Sequence, residues 1–281
     1  RNNGQSMAAV SRPRHWDAYA ARWQLIGPPL RPAATDIEYL ATSVGRFSPA
    51  PKSALLLGVT PEIAEMAWHP GCQLVAADRS EGMVRAVWPG DTARRRAIVA
   101  DWFALEVPEA PFDVVIGDGV FTLLEFPDGY AQFARALGAL VKPGGLLSLR
   151  LFCRVAPGET LEQVVGDAFA GAIGNFNVFK WRLAMALQGD ATRGVRLADV
   201  YRTFVDRTGG AAALASRTGW PEAIIGSIEG YRDVDERYSY STESEVAACL
   251  AQDFELVETW HPSYELGDRC PHLSFRRRLS V

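Results

Sequence analysis

The chain has 281 residues, 48% hydrophobic and 22% charged, which is ordinary globular composition with ample material for a core. A formal net charge of -4 and a pI near 5.7 leave no basic excess for a phosphate backbone, so nucleic acid is not an expected partner. No apolar run approaches the ~18 residues of a membrane span, and the scattered Cys72, Cys153, Cys249 and Cys270 form no C-x-x-C pair, which fits a reducing cytoplasm and argues against a zinc site.

Residues 1–6 precede Met7 and read as an expression remnant. From His15, the aromatic residues Trp16, Tyr19 and Trp23 recur at helical spacing until Gly27-Pro28-Pro29 forbids continuation. A second short helix is expected from Ile37 to Gly45, completing a helical N-terminal lid over residues 7–50. Strands then alternate with helices through residues 51–153. The predicted strands are Ala54–Leu57 ending at Gly58, Gln73–Ala77 ending at Asp78, Ala97–Ala100 ending at Asp101, Phe112–Ile116 ending near Asp118, and Leu146–Phe152 entered through a Lys142-Pro143-Gly144-Gly145 turn. An amphipathic helix carrying Tyr130, Phe133, Leu137 and Leu140 joins the last two. Continuous apolar strands linked by helices imply a parallel, doubly wound α/β sheet covered on both faces.

From residue 154 to 245 the rhythm becomes helical, with no convincing strand, and reads as a cap inserted into the fold. Thr242-x-x-Glu245 is a capping box that opens a helix through Leu250, and strands at Phe254–Trp260 and Leu273–Leu279 complete the chain over residues 246–281.

In an open parallel sheet, ligands lie beyond the carboxyl ends of the strands. Gly58 followed twenty positions later by Asp78 is the spacing of a nucleoside-binding half, a tight turn and then an acid for the ribose hydroxyls. The alternative role for Asp78 is an N-cap for the helix over residues 80–87. Asp101 and Trp102 are placed to meet an adenine, by amino-group acceptance and ring packing, or else to cap a helix and fill a core. Asp118-Gly119 permits close approach to the backbone.

Read together, LLLGVTPEIAEM, VAADRSEGMV, IVADWFAL, FDVVIGDGV and LVKPGGLLSLRLF resemble successive motifs of the class I S-adenosylmethionine-dependent methyltransferases, over Ser53–Phe152 and again Val246–Leu279. The resemblance implies a seven-stranded Rossmann-like sheet of order 3-2-1-4-5-7-6. It also implies S-adenosylmethionine as cofactor and methyl transfer to a small molecule. The residues expected around the cofactor are Gly58, Val59, Thr60, Asp78, Arg79, Met83, Asp101, Trp102, Asp118 and Gly119, joined by Tyr19, Arg22 and Trp23 from the lid. The departure is the glycine loop, which reads Gly58-Val59-Thr60-Pro61-Glu62. Thr60 makes a sensible N-cap with Pro61 at the first helical position, but Pro61 offers no N–H. A non-catalytic S-adenosylmethionine-binding protein is therefore a second reading. A nicotinamide-dependent oxidoreductase is a third, disfavoured because the G-x-G-x-x-G fingerprint is absent.

No general base is identified; Asp118, His15, Tyr264 and Glu125 are the candidates. For the acceptor, Trp16, Phe121, Phe176, Lys180 and Trp181 offer aromatic surface with orienting polar groups, and their alternative role is core packing. No acidic cluster after the fourth strand suits a divalent ion, so no metal is expected.

Overall fold

The computed structural model describes residues 19–189 and 193–279. Its centre is a seven-stranded sheet of β1 (Ser53–Leu57), β2 (Gln73–Asp78), β3 (Arg95–Val99), β4 (Phe112–Asp118), β5 (Val141–Arg150), β8 (Phe254–Trp260) and β9 (His272–Arg277). Two further strands, β6 (Val195–Arg196) and β7 (Arg237–Tyr238), form a separate small sheet. The main order is β3-β2-β1-β4-β5-β9-β8, parallel through β5, with β9 antiparallel to both β5 and β8. This is the order expected from the sequence once the two short strands are discounted.

Alternation along the strands divides the core. Leu55, Leu57, Val75 and Val115 point to one face, where they meet α4 (Asp128–Leu140) and α10 (Glu243–Leu250). Ala54, Leu56, Leu74 and Ile116 point to the other, beneath α1 (Ala34–Phe47), α2 (Pro61–Ala64) and α3 (Glu81–Val87). Every residue of β1 is buried, as a central parallel strand covered on both faces requires. The capping box at Thr242 is present: Thr242 Oγ1 accepts from the Glu245 N–H, and the Glu245 carboxylate accepts from the Thr242 N–H.

Two expectations change. Lys142-Pro143-Gly144-Gly145 does not precede β5 but lies within it, as an irregularity between the Phe112–Val141 and Val114–Leu146 pairs, with Gly144 at φ +75°. The stretch expected to hold no strand contains β6 and β7, two residues each. Too short for a period-2 pattern, they leave no mark in the sequence.

Helices α5 (Leu161–Phe169), α6 (Phe176–Gln188), α7 (Leu197–Thr208), α8 (Ala211–Thr218) and α9 (Glu222–Ile225) fill the insertion. They bury Val164, Phe176, Phe179, Phe204 and Trp220 in a third core, which also takes in Ile26 and Leu30 of the N-terminal segment and Phe152 beyond β5. No helix among the described residues is long and apolar enough to cross a membrane.

Candidate active site

The carboxyl ends of β1, β2 and β4 and the turn after β3 open into one cleft of about 280 Å³. Gly58, Val59 and Thr60 form its floor beyond β1, with Asp78 at the end of β2 and Arg79 and Met83 after it. Asp101 and Trp102 stand beyond β3, and Asp118 ends β4 with Gly119 after it. Tyr19 and Trp23 reach it from the N-terminal segment, and Trp181 from α6.

Gly58 turns the chain at φ +96°, a conformation closed to most L-residues, and a Cβ there would lie 3.9 Å from Asp78 Oδ2. Gly58→Ala is therefore expected to cost about 1–3 kcal/mol of stability through backbone strain and to crowd the ligand beside Asp78. Urea unfolding and nucleoside titration of the variant check both effects.

Asp78 is not the helix cap. Ser80 holds that position, accepting the Met83 N–H at 3.1 Å, while Asp78 Oδ1 accepts the Ser80 N–H at 2.8 Å. Burial pushes the Asp78 carboxyl up to about 6, against the lowering effect of the Ser80 bond and of Arg79. A carboxylate held in this way gains from hydroxyl donors arriving in the cleft. Asp101 does cap a turn, its Oδ1 accepting from the Phe103 N–H at 3.0 Å, and it is exposed at the rim.

Trp102 has two attachments: its Nε1–H donates to the Ala77 carbonyl at 2.6 Å, and its ring lies 5.9 Å from that of Phe133. Trp102→Phe keeps a ring and loses the donor. It is expected to cost about 1 kcal/mol of stability while leaving nucleoside affinity within about twofold, read by thermal melting and calorimetry. A large loss of affinity with unchanged melting would show that the indole N–H serves the ligand instead.

Asp118 is held from behind. Arg150, 1% exposed, donates Nε–H to Asp118 Oδ1 at 2.6 Å and Nη1–H to the Pro29 carbonyl at 2.8 Å. It also approaches the Leu30 carbonyl and lies 3.8 Å from the buried Asp36. Asp36 in turn accepts from the Tyr264 hydroxyl and pairs with His272 at 2.8 Å. The neighbouring His272 and Arg150 hold Asp36 below the usual carboxylate range despite its burial, whereas burial lowers His272. Gly119 stands at φ +67°, where a Cβ would meet the Phe152 ring at 2.5 Å.

Several expected residues lie off the cleft wall. Tyr264 belongs to the network behind Asp118, its hydroxyl committed to Asp36 and raised by burial, so it offers no base to the cleft. Phe121 packs against Tyr130 and Phe133 in the sheet core, and Phe176 against Phe179 and Phe204 in the insertion core. Lys180 is buried beside Tyr231, and Arg22 extends toward Gly230 rather than the cofactor loop. His15 and Trp16 lie outside the described residues. Glu125 is on the wall but exposed. Thr60 occupies the cap position before Pro61, yet its side chain makes no capping bond, and α2 is a single turn with little dipole to offer an anion.

The sequence reading passed over Phe152, Tyr238, Ser80 and Thr122, which also line the cleft. It also missed Arg150, which a lone arginine inside the apolar run Leu146–Phe152 could have signalled, since a buried cation demands a partner.

No family model and no curated protein sequence matches the chain. Solved structures do. A Rhodobacter sphaeroides structure described provisionally as a Zn-dependent alcohol dehydrogenase aligns at TM-score 0.60 with 14% identity, covering 95% of this chain and 98% of that one. The N-methyltransferase NodS of Bradyrhizobium japonicum, solved with S-adenosyl-L-homocysteine, aligns at 0.48 with 12% identity over 93% and 98%. The 1,6-didemethyltoxoflavin-N1-methyltransferase of Burkholderia thailandensis aligns at 0.48 with 16% identity over 99% and 98%. A dinucleotide-binding Rossmann sheet runs 3-2-1-4-5-6; here β9 enters antiparallel between β5 and β8. The seven-stranded Rossmann-like sheet thus has the order that the resemblance to class I methyltransferases implies. Among the described residues no group of three His, Cys, Asp or Glu side chains is placed to hold a metal.

Proposed function

We propose that the chain is an S-adenosylmethionine-dependent methyltransferase acting on a small molecule held under the insertion. The observation that carries this reading is the convergence of Asp78, Asp101 and Asp118, each at or just beyond the end of a different parallel strand, on one cleft floored by a positive-φ glycine. The donor set fits an adenosine. Asp78 has one carboxylate oxygen fixed by the Ser80 N–H, leaving the other to accept ribose hydroxyls. Asp101 stands at the rim beside the Trp102 ring, where an adenine edge would find an acceptor. At the other end, Trp23 lines the cleft with Gly58, Val59 and Thr60 and carries a buried indole N–H that has no partner among the described residues. A polar atom buried without a partner is costly, and a carboxylate oxygen of the methionyl end would satisfy it.

When bound, the cofactor supplies an electrophilic methyl on a sulfonium, which the acceptor's lone pair takes as the carbon–sulfur bond breaks toward sulfur. The chain's own part is to align and to exclude water. Tyr19, Trp23, Phe152 and Trp181 enclose the space with rings. Asp118, ion-paired to Arg150, is held as a fixed hydrogen-bond acceptor.

Calorimetry with S-adenosylhomocysteine and with NAD separates this reading from the oxidoreductase one. Micromolar binding of the former and none of the latter is expected; the reverse overturns it. The shortened loop at Thr60-Pro61 favours a second reading, a non-catalytic S-adenosylmethionine-binding protein. Methyl-donor turnover on a metabolite panel decides between the two.

A further inference from the structure

The insertion side of the cleft gathers aromatic rings and, behind them, a buried cation. Trp181 and Tyr238 both line the cleft and lie 5.8 Å apart, ring centre to ring centre, at 79°. Behind them, Tyr240 packs 5.5 Å from Trp181, and Tyr231 lies 6.0 Å from Tyr238. Lys180, adjacent to Trp181 on α6 and 1% exposed, places its ammonium 5.2 Å from the centre of the Tyr231 ring.

Among the described residues, the indole N–H of Trp181 and the hydroxyl of Tyr240 are buried without partners. Among the described residues no carboxylate pairs with Lys180, and burial alone lowers its ammonium to about 7. Arg22, whose Nη1 comes within 3.6 Å of a Cβ position on Gly230, forms no ion pair among the described residues either. The one unpartnered acceptor on α6, the Asn177 amide oxygen, belongs to a side chain whose nitrogen faces Gly27.

An uncompensated charge behind a wall of rings acts through low dielectric, where it is felt far more strongly than in water. The buried indole donor of Trp181, a residue on the cleft wall, carries a desolvation cost that an incoming oxyanion would relieve. The rings on the wall set the shape of what enters, since offset and edge-on contacts favour a planar partner.

We propose that the methyl acceptor is a small aromatic carboxylate whose ring lies among Phe152, Trp181 and Tyr238 and whose carboxylate turns toward the Lys180 side of the cleft. The proposal rests on reading the cleft as the methyl-transfer site, and it adds the substrate class.

The test uses the full-length protein saturated with S-adenosylhomocysteine, titrated calorimetrically at pH 7 with benzoate, 4-hydroxycinnamate and indole-3-carboxylate, each against its primary amide. Cyclohexanecarboxylate serves as the non-planar control. At least one aromatic carboxylate is expected to bind tenfold or more tightly than its amide and than the control. Lys180→Met, which keeps the side-chain length, is expected to bring acid and amide within about twofold of each other while S-adenosylhomocysteine affinity stays unchanged. Trp181→Phe is expected to narrow the difference less.

Equal affinity for acids and amides, no binding of any acid at millimolar concentration, or a preference surviving in Lys180→Met overturns the proposal. So does a fall in S-adenosylhomocysteine affinity in Lys180→Met, which would give the lysine to the cofactor's own carboxylate. Failure of the wild-type protein to bind S-adenosylhomocysteine at all would remove the functional reading beneath it and is recognised before any acid is added.

Discussion

Asp78→Asn is expected to stabilise the ligand-free protein at neutral pH and to weaken nucleoside binding, two effects of opposite sign from one atom. Burial raises the Asp78 carboxyl from 3.8 to about 6, so the folded state favours its neutral form. The stability contributed by that preference is fully present below the unfolded value and is lost as pH rises through about 6. Above that point the native protein bears the cost of a poorly solvated carboxylate. Asn removes it, and with one pK unit worth about 1.4 kcal/mol the gain is on the order of 2–3 kcal/mol. The difference grows between pH ~4 and ~6 and is level above. Urea denaturation of both proteins across this range measures it, and a destabilised Asp78→Asn at pH 7.5 would mark the carboxylate as structural.

Binding runs the other way. Under the proposed function ribose hydroxyls donate to the ionised carboxylate, so wild-type affinity for S-adenosylhomocysteine is expected to fall as pH drops through about 6. The Asn variant should bind roughly 5- to 150-fold more weakly at pH 7.5, corresponding to about 1–3 kcal/mol, with no step in that pH window. Unchanged affinity would remove Asp78 from the ribose.

The largest loss of stability is expected from Arg150→Met. Arg150 is 1% exposed and stands between Asp118 and Asp36 while holding the carbonyls of Pro29 and Leu30. Removing it strands the Asp118 carboxylate and two backbone acceptors and takes a positive charge from beside Asp36, and breaking a buried pair from one side costs about 3–5 kcal/mol. Adding Asp118→Asn to that variant should recover part of the loss, because the stranded charge goes with it; a double-mutant cycle in urea reads the coupling. Additive losses would mean that the pair across β4 and β5 contributes no coupling.

The sheet was legible because each of four apolar runs closes at or just before a residue type disfavoured in strands: Gly58, Asp78, Asp101 and Asp118 in succession. The same residues brought the strand-end half of the cleft into view, since strand ends and ligands coincide in an open sheet. The insertion half was less legible. Phe176 and Trp181 sit five apart in one helix, and nothing in their spacing says that one packs against Phe204 while the other faces the cleft. That distinction is made by α7 and by β7, which arrive 20 to 60 residues later. Arg22 was misplaced for the same reason, as the loop at Gly230 that it meets is more than 200 residues away. The Asp36–Arg150–His272 network joins three distant segments, and only the oddity of an arginine within an apolar strand hinted at it.

Ile26 and Leu30 share a hydrophobic interior with the insertion helices, while Asp78 and Asp101 belong to the sheet. Mutational drift in α5 to α9 can thus reshape the pocket's far wall without touching the strand-end carboxylates of Asp78 and Asp101. Hydrogen exchange should report the same division: helices α5 to α9 would open together as one cooperative block, distinct from the slower-exchanging strands β1, β2 and β4.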